Sequence, residues 1–241
     1  ILSLITLEKE STSQNESTIK YLFRLQDGKL IETVSMIDNN RHTVCLSSQV
    51  GCNVGCTFCA TASMGFIRNL TAGEIIDQVD YVRKKVSIPI TNIVFMGMGE
   101  PMLNYNNVIQ ASDIFHNPSG YGMSSSRITI STAGVLPKIK QFIKEKVKYK
   151  LAISLNASTD AIRKEIMPIN NTWGLDEIME VCKLLIQNKH KRIMFEYVLI
   201  KDINDTPEDA RNLIKLLKNI NCKLNIIPFN ETEGKYKRPT D

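Results

Sequence analysis

From Thr43 onward, short runs of β-branched and aromatic residues alternate with longer stretches whose apolar residues recur every three or four positions. This alternation predicts βα units around a parallel sheet. The expected strands are residues 43–49, 91–97, 127–132, 150–155, 192–200 and 223–228. Most are near-continuous runs of Val, Ile, Leu and Phe, the composition of strands buried on both faces. The expected helices are residues 72–85, 105–115, 137–144, 160–166, 175–188 and 206–219. In the first of these, Ile75, Ile76, Val79 and Val82 fall on one face, and Thr71 with Glu74 forms a capping box ahead of it. Crossovers between parallel strands are right-handed. Successive units therefore predict an α/β fold, a partial (βα)6 TIM-like barrel with its active site at the C-terminal strand ends.

Ahead of the barrel, residues 19–25 and 30–36 flank Asp27-Gly28, a two-residue hairpin signal. The hairpin is expected to cover one barrel end, with residues 11–18 as a surface loop. The expected organisation is an N-terminal extension, residues 1–41, and a core, residues 42–241. A length of 241 residues with 43% hydrophobic and 23% charged positions excludes disordered, collagen-like and coiled-coil chains. The net charge of +5 permits an anionic partner without demanding one. No apolar run reaches the length of a membrane span, and residues 1–10 lack the order of a signal peptide. A cytoplasmic protein with reduced thiols and no membrane partner is expected. The six lysines of residues 138–150 read as a solvated helix face. Arg127, Lys189, Lys191, Arg192, Lys235, Lys237 and Arg238 are candidates for phosphate contacts around the barrel mouth.

Three of the six cysteines, Cys52, Cys56 and Cys59, lie directly after the first expected strand, at the expected active end. Structural zinc takes four protein ligands, and no second cysteine pair follows. Three thiolates can instead hold three irons of a 4Fe-4S cube and leave the fourth iron open. The spacing favours the cluster over zinc. Gly99 and Glu100 follow the second strand, where a glycine turn brings backbone close to a ligand and a carboxylate can accept from an ammonium group. Ser131, Ser154-Leu155-Asn156 and Asn230 collect at the same rim. By itself Cys45 reads as a small buried hydrophobe and Glu32 as a solvated acid. Cys182 reads as core, Cys222 has no nearby partner, and His42, His116 and His190 form no ligand pattern.

The CxxxCxxC spacing, with Phe58 before the third cysteine, resembles the radical S-adenosylmethionine (SAM) superfamily. Gln49-Val-Gly-Cys52, Thr57-Phe-Cys59-Ala-Thr, Gly65-Phe66-Ile-Arg68-Asn69-Leu70, Met96-Gly-Met-Gly-Glu100-Pro101 and Ile227-Pro-Phe-Asn230 resemble the RlmN and Cfr adenosine methyltransferases, from about Glu32 to the end. The resemblance implies a 4Fe-4S cluster on Cys52, Cys56 and Cys59, and SAM as cofactor. It implies that Gly99 and Glu100 hold the methionine moiety, and that Ser131, Ser154, Leu155, Asn156 and Asn230 are further SAM contacts. Asn156 stands where the family commonly has His. It also implies that Glu32 is the proton acceptor and that Cys45 helps resolve the enzyme–RNA covalent intermediate.

The implied substrate is an adenosine of 23S rRNA near the peptidyl transferase centre and, for RlmN enzymes, the adenosine beside some tRNA anticodons. The implied electron donor is a one-electron reductant such as flavodoxin or ferredoxin. The ring carbon is not nucleophilic, so ordinary methyl transfer fails and radical chemistry from a cofactor is required. In the family, SAM first methylates a C-terminal cysteine, and a second SAM, cleaved reductively, generates the radical that activates this methyl group for addition to the base. Pro101-Met-Leu-Asn104 after Glu100 favours the RlmN-type reaction at C2 over the Cfr-type reaction at C8. The family's methyl-carrying cysteine, in an Ala-Cys-Gly-Gln type motif, has no counterpart after Cys222. A chain running from Ile1 to Asp241 is therefore expected to be a core cut at both ends, lacking the last helix and C-terminal tail, able to bind cofactors but not to turn over fully. The remaining readings are another radical SAM enzyme and a zinc-stabilised, non-catalytic RNA-binding module.

Overall fold

The computed structural model of the protein describes residues 3–186, 192–231 and 234–240. The chain opens with β1 (Ile5–Thr12), β2 (Thr18–Leu25), β3 (Leu30–Asp38), β4 (Arg41–Cys45) and β5 (Gln49–Gly51). There follow α1 (Ala60–Ser63), β6 (Phe66–Asn69), α2 (Ala72–Lys85), β7 (Asn92–Phe95), α3 (Tyr105–His116) and β8 (Ile128–Thr132). The remainder is α4 (Leu136–Lys144), β9 (Lys150–Ser154), α5 (Asp160–Ile166), α6 (Leu175–Ile186), β10 (Ile193–Leu199), α7 (Pro207–Leu217) and β11 (Cys222–Pro228). The expected end of the fifth helix at Asn188, with Lys189, His190 and Lys191, lies outside the described residues. The chain divides into two compact units: Ile1–Asn53, Gly65–Ser131 and Lys148–Lys150 form the first, and Val54–Met64, Thr132–Val147 and Leu151–Asp241 the second.

In the first unit the strand order is β1-β2-β3-β4-β7-β8, antiparallel as far as β4 and parallel from β4 to β8. The expected hairpin is present, but it does not cover a barrel end. It continues the sheet edge through pairing of Val34 with Cys45, and a strand that sequence reading missed, β1, pairs on its far side. β1 escapes a period-two search because its exposed half, Glu8–Thr12, is polar on both faces. Tyr21 and Phe23 of β2 meet Tyr81 of α2 edge-on at 5.5 and 4.9 Å, so the extension shares its core with a helix of the βα series. Val44, Ile93, Phe95 and Ile128 are fully buried on one face. The first expected strand, residues 43–49, is broken: β4 ends at Cys45, and β5 pairs separately with β6.

The second unit carries β9, β10 and β11 in parallel, with Ser154, Glu196 and Asn225 in register across them. Phe195, Ile193 and Ile153 on the opposite face are buried. Thr206 caps α7 by accepting the Asp209 N–H while the Asp209 carboxylate accepts the Thr206 N–H, and Pro207 supplies the fixed φ of the first turn.

Arg68 joins three parts of the first unit. Its Nε donates to Asp27 at 2.7 Å, fixing the hairpin turn, and Nη1 and Nη2 clamp both oxygens of Glu74 at 2.9 and 2.8 Å. Burial pulls the Glu74 pKa upward, but the Arg68 and Thr71 donors outweigh it and hold the carboxyl below its ordinary 4.5. A carboxylate depressed by folding stabilises fully above its ordinary value and loses that contribution as pH falls through the folded value. Arg68→Met is expected to lower stability by roughly 2 kcal/mol at pH 7 in urea denaturation. The gap from wild type should narrow on acidification below the ordinary Glu74 value of 4.5.

Candidate functional site

All three clustered cysteines sit on the loop between β5 and β6, and its neck is closed by backbone. Gln49–Gly51 pairs antiparallel with Phe66–Asn69, and the Cys52 N–H donates to the Gly65 carbonyl at 3.0 Å. Gly51 has φ 73°, and a Cβ there would strike that same carbonyl, so only glycine closes the neck. The segment after β7 packs as tightly. A Cβ on Gly97 would lie 2.8 Å from the Leu46 carbonyl, and Gly99, at φ 97°, faces the Gln49 side chain with no room for one. Buried Gln49 accepts the Glu100 N–H at 2.8 Å and donates to Asn69 Oδ1 at 2.8 Å. The Ser48 N–H donates to the Met98 carbonyl at 2.8 Å, and Asn104 Nδ2 donates to the Ser48 and Leu70 carbonyls at 2.8 and 2.7 Å. The buried carboxylate of Glu100 accepts the Met102 N–H at 3.0 Å and so caps the short 3-10 turn Pro101–Asn104.

Cys45 is half-buried while its neighbours Val44 and Leu46 are buried, as strand alternation requires. Val34 lies opposite it and Glu32 two residues along the same face, a diagonal separation of about 7 Å. The Glu32 carboxylate pairs with Lys20 at 2.9 Å on the exposed side. Its backbone is anchored: the carbonyl accepts from Ser47 Oγ at 2.5 Å and the N–H faces Met98 Sδ at 3.3 Å. Val94 pairs with both Cys45 and Thr129, which puts Ser131, two residues on, on the same face. Glu32, Cys45 and Ser131 thus share one face of the first unit.

In the second unit, Thr57 fixes the loop beside Cys56: its N–H donates to the Ile166 carbonyl at 2.9 Å and its hydroxyl bonds Tyr236 Oη at 2.6 Å. Phe58, Cys59, Ser63, Phe229, Lys235 and Tyr236 line a cavity of about 310 Å³. Phe229 meets Tyr236 edge-on, and Lys235 lies over the Tyr236 ring at 4.8 Å. Ser154 stands next to Glu196 in the transverse row, Leu155 is fully buried, and Asn230 is exposed just past buried Phe229. Asn156 has a left-handed φ of 56°, which Asn and His tolerate better than most residues. Its Oδ1 accepts the Val198 N–H at 2.9 Å and its Nδ2 faces Met167 Sδ at 3.3 Å, so the side chain is engaged within the turn.

Two residues escaped sequence reading. Arg163 is fully buried on α5, and Glu196 is a buried carboxylate whose pKa is raised by burial against a hydrogen bond from Asn225. Arg163 shares helical spacing with buried Ile166, a signal that it points inward. The basic candidates also need correction. Arg127 and Arg192 precede β8 and β10, at the strand ends opposite Ser131 and Leu199, and bond Asn92 and Asn221. They do not rim the mouth. Lys235 and Lys237 follow β11 and pair with Glu165 and Glu231. His42 is structural, bonded to Ser35 and the Ile88 carbonyl. Burial pushes the Cys182 thiol up to about 12, fitting its place in the core.

None of the six cysteines is in a disulfide, and Cys52, Cys56 and Cys59 are each half-buried. Among the described residues, no three Cys, His, Asp or Glu side chains gather to hold a single metal ion. A cube that takes each thiolate on a different iron suits a set of three soft donors on one closed loop.

The radical SAM superfamily pattern matches residues 46–222. The dual-specificity RNA methyltransferase RlmN of Syntrophotalea carbinolica is 46% identical over 242 residues, covering 100% of this chain and 64% of the relative. The probable dual-specificity RNA methyltransferase RlmN of Clostridium botulinum strain Eklund 17B is 45% identical, covering 98% and 69%. The chain belongs to the RlmN family of the radical SAM superfamily. It spans 64% of the length of the Syntrophotalea relative. The crystal structure of a radical SAM methyltransferase from Sphaerobacter thermophilus superposes with a TM-score of 0.94 at 41% identity, covering 99% of this chain and 71% of that one. The fold class is accordingly mixed α/β, antiparallel strands followed by the parallel β/α partial barrel of the superfamily.

Gln49 is the side chain that ties the neck of the cysteine loop to the Gly99-Glu100 turn. Gln49→Leu should leave the Glu100 N–H and the Asn69 carboxamide oxygen without their Gln49 partners in a buried setting. A loss of about 1–3 kcal/mol in urea unfolding is expected.

Proposed function

We propose that this chain forms the cofactor-binding and catalytic core of an RNA methyltransferase that modifies C2 of an adenosine in 23S rRNA and in tRNA. The reading is carried by the glycine-closed loop presenting three thiols, bonded at its neck to the Gly99-Glu100 turn. Cys52, Cys56 and Cys59 hold the 4Fe-4S cluster, which when bound supplies the one-electron cleavage of SAM. Gly99 exposes backbone to the methionine end of SAM, and Glu100 offers its carboxylate to the amino group. Ser131, Ser154, Leu155 and Asn230 meet the nucleoside end. Asn156 acts through the left-handed turn it sets, since its amide is engaged with Val198 and Met167. The walls of Phe58, Phe229 and Tyr236 suit the flat face of an adenine.

Glu32 accepts the proton from the modified base, and the Cys45 thiolate attacks the sulfur of the enzyme–RNA link, so that an S–S bond forms as the S–C bond to the base's new carbon breaks and the methylated RNA is released. Their position on one face of the sheet, about 7 Å apart, favours that division of labour. The electron comes from a small donor such as flavodoxin or ferredoxin. No helix among the described residues is long and apolar enough to cross a membrane, and we place the enzyme in the cytoplasm with its RNA.

Anaerobically purified protein is expected to contain about four irons and four sulfides per chain. Alanine at Cys52, Cys56 or Cys59 should abolish that content. One zinc per chain instead of iron would overturn the reading in favour of a zinc-stabilised RNA-binding module. With protein expressed from its whole gene, mass spectrometry of treated rRNA should show 2-methyladenosine. A product at C8, or modification of a non-RNA substrate, would reassign the reaction within the superfamily.

A further inference from the structure

We infer that Arg163 is a positioning residue that places a permanent positive charge beside the Cys56 arm of the loop, and so eases electron entry into a cluster held there. The inference rests on the cluster reading above.

Arg163 is fully buried, yet its guanidinium is held by neutral oxygens. Nε donates to the Leu155 carbonyl at 3.0 Å, Nη1 to Asn170 Oδ1 at 2.9 Å, and Nη2 to the Ala133 and Ser154 carbonyls at 2.7 and 3.1 Å. Among the described residues, none of its hydrogen bonds goes to a carboxylate. Asp160 is reached one step away, through Asn170, whose Nδ2 donates to Asp160 Oδ1 at 2.7 Å. The two groups whose charge acts on Arg163 are Cys56 first and Asp160 second. Burial pulls the guanidinium pKa down to about 10, which still leaves it a cation at neutral pH.

The placement is built in several ways. α5 carries Arg163, and the carbonyl of its last residue, Ile166, takes the N–H of Thr57, next to Cys56. One helix therefore fixes both the charge and the loop that bears the thiol. Gly134, whose φ of 109° is a conformation that side-chain-bearing residues rarely adopt, lies against Nη2 of the same guanidinium. The same guanidinium fixes the carbonyls of Ser154 and Leu155, two of the residues assigned to SAM. A buried cation whose hydrogen bonds end on neutral oxygens is offset only by the Asp160 carboxylate one residue removed, and the surroundings screen poorly, so part of its field reaches the loop. Reduction adds one negative charge to an iron–sulfur cluster, and nearby fixed charge and hydrogen bonding set how readily that happens.

The test compares reconstituted wild type with Arg163→Lys, Arg163→Gln and Asp160→Asn by iron content, thermal melting and a redox titration followed by electron paramagnetic resonance. At a fixed solution potential, the ratio of reduced to oxidised cluster should fall about tenfold in Arg163→Gln and stay near wild type in Arg163→Lys. In Asp160→Asn, which keeps the Oδ1 acceptor but removes the opposing charge, the ratio should rise. Should Arg163→Gln fail to fold, the Asp160→Asn result decides alone. A full complement of iron with an unchanged ratio in the folded variants sinks the role of Arg163 and leaves the cluster reading standing. Wild type without iron sinks both.

Discussion

The candidate site depends on a close approach between two stretches of backbone, one leaving β4 and the other leaving β7. The carbonyl of Leu46 comes so near Gly97 that no side chain fits there, and Gln49 fills the space where a side chain on Gly99 would stand. Hydrogen bonds hold the approach from both sides: Ser48 N–H to Met98, Gln49 to the Glu100 N–H, and Asn104 across to Ser48 and Leu70. These groups are buried, so each bond satisfies a polar atom that would otherwise carry a desolvation penalty of about 1–3 kcal/mol. The loop bearing the cysteines then starts from a neck whose direction is set before any cofactor arrives. Preorganisation of this kind lowers the cost of ordering a loop that is to present several side chains together.

The parallel βα series was legible from hydrophobic spacing because its strands are buried on both faces and its helices have one apolar stripe. α2 and α5 begin and end where they were expected, α2 behind its anticipated Thr71 cap and α5 behind Thr159, a cap that the structure adds. β1 was not legible, since Glu8–Thr12 pairs with β2 through backbone while its side chains face water. The break between β4 and β5 was hidden for a different reason: residues 43–49 are all buried or half-buried, the polar Ser47, Ser48 and Gln49 included, so neither burial nor alternation marks where the ladder changes partner. Among site residues, the cysteine spacing and the glycines announce themselves locally. Arg163 and Glu196 do not, because their meaning lies in which carbonyls and strands surround them after folding.

Buried polar side chains divide the labour differently in the two units. In the first, the neutral amides of Gln49 and Asn104 bridge backbone segments, and the buried carboxylates of Glu74 and Glu100 are satisfied by Arg68 and by backbone N–H donors. In the second, Arg163 and Glu196 are ionisable groups beneath the rim that carries Ser154. Arg163 stays charged because four oxygens receive its protons, whereas the carboxyl of Glu196 is driven toward its neutral form by burial.

Glu32 combines a weakly held side chain with a firmly held backbone. Its carboxylate pairs with Lys20 across exposed faces of β2 and β3, where both side chains are roughly half accessible. Such a pair contributes only about 0–1 kcal/mol, so swinging the carboxylate from Lys20 toward a bound base is nearly free. The backbone does the opposite, held by Ser47 and Met98 from the same two segments that shape the neck. A tightly anchored main chain with a loosely held side chain fits the proton-accepting role proposed for Glu32, fixed in location and free in reach. Cys45 needs no such freedom: it points from mid-sheet toward the same face, and its position is set by pairing with Val34 on one side and Val94 on the other.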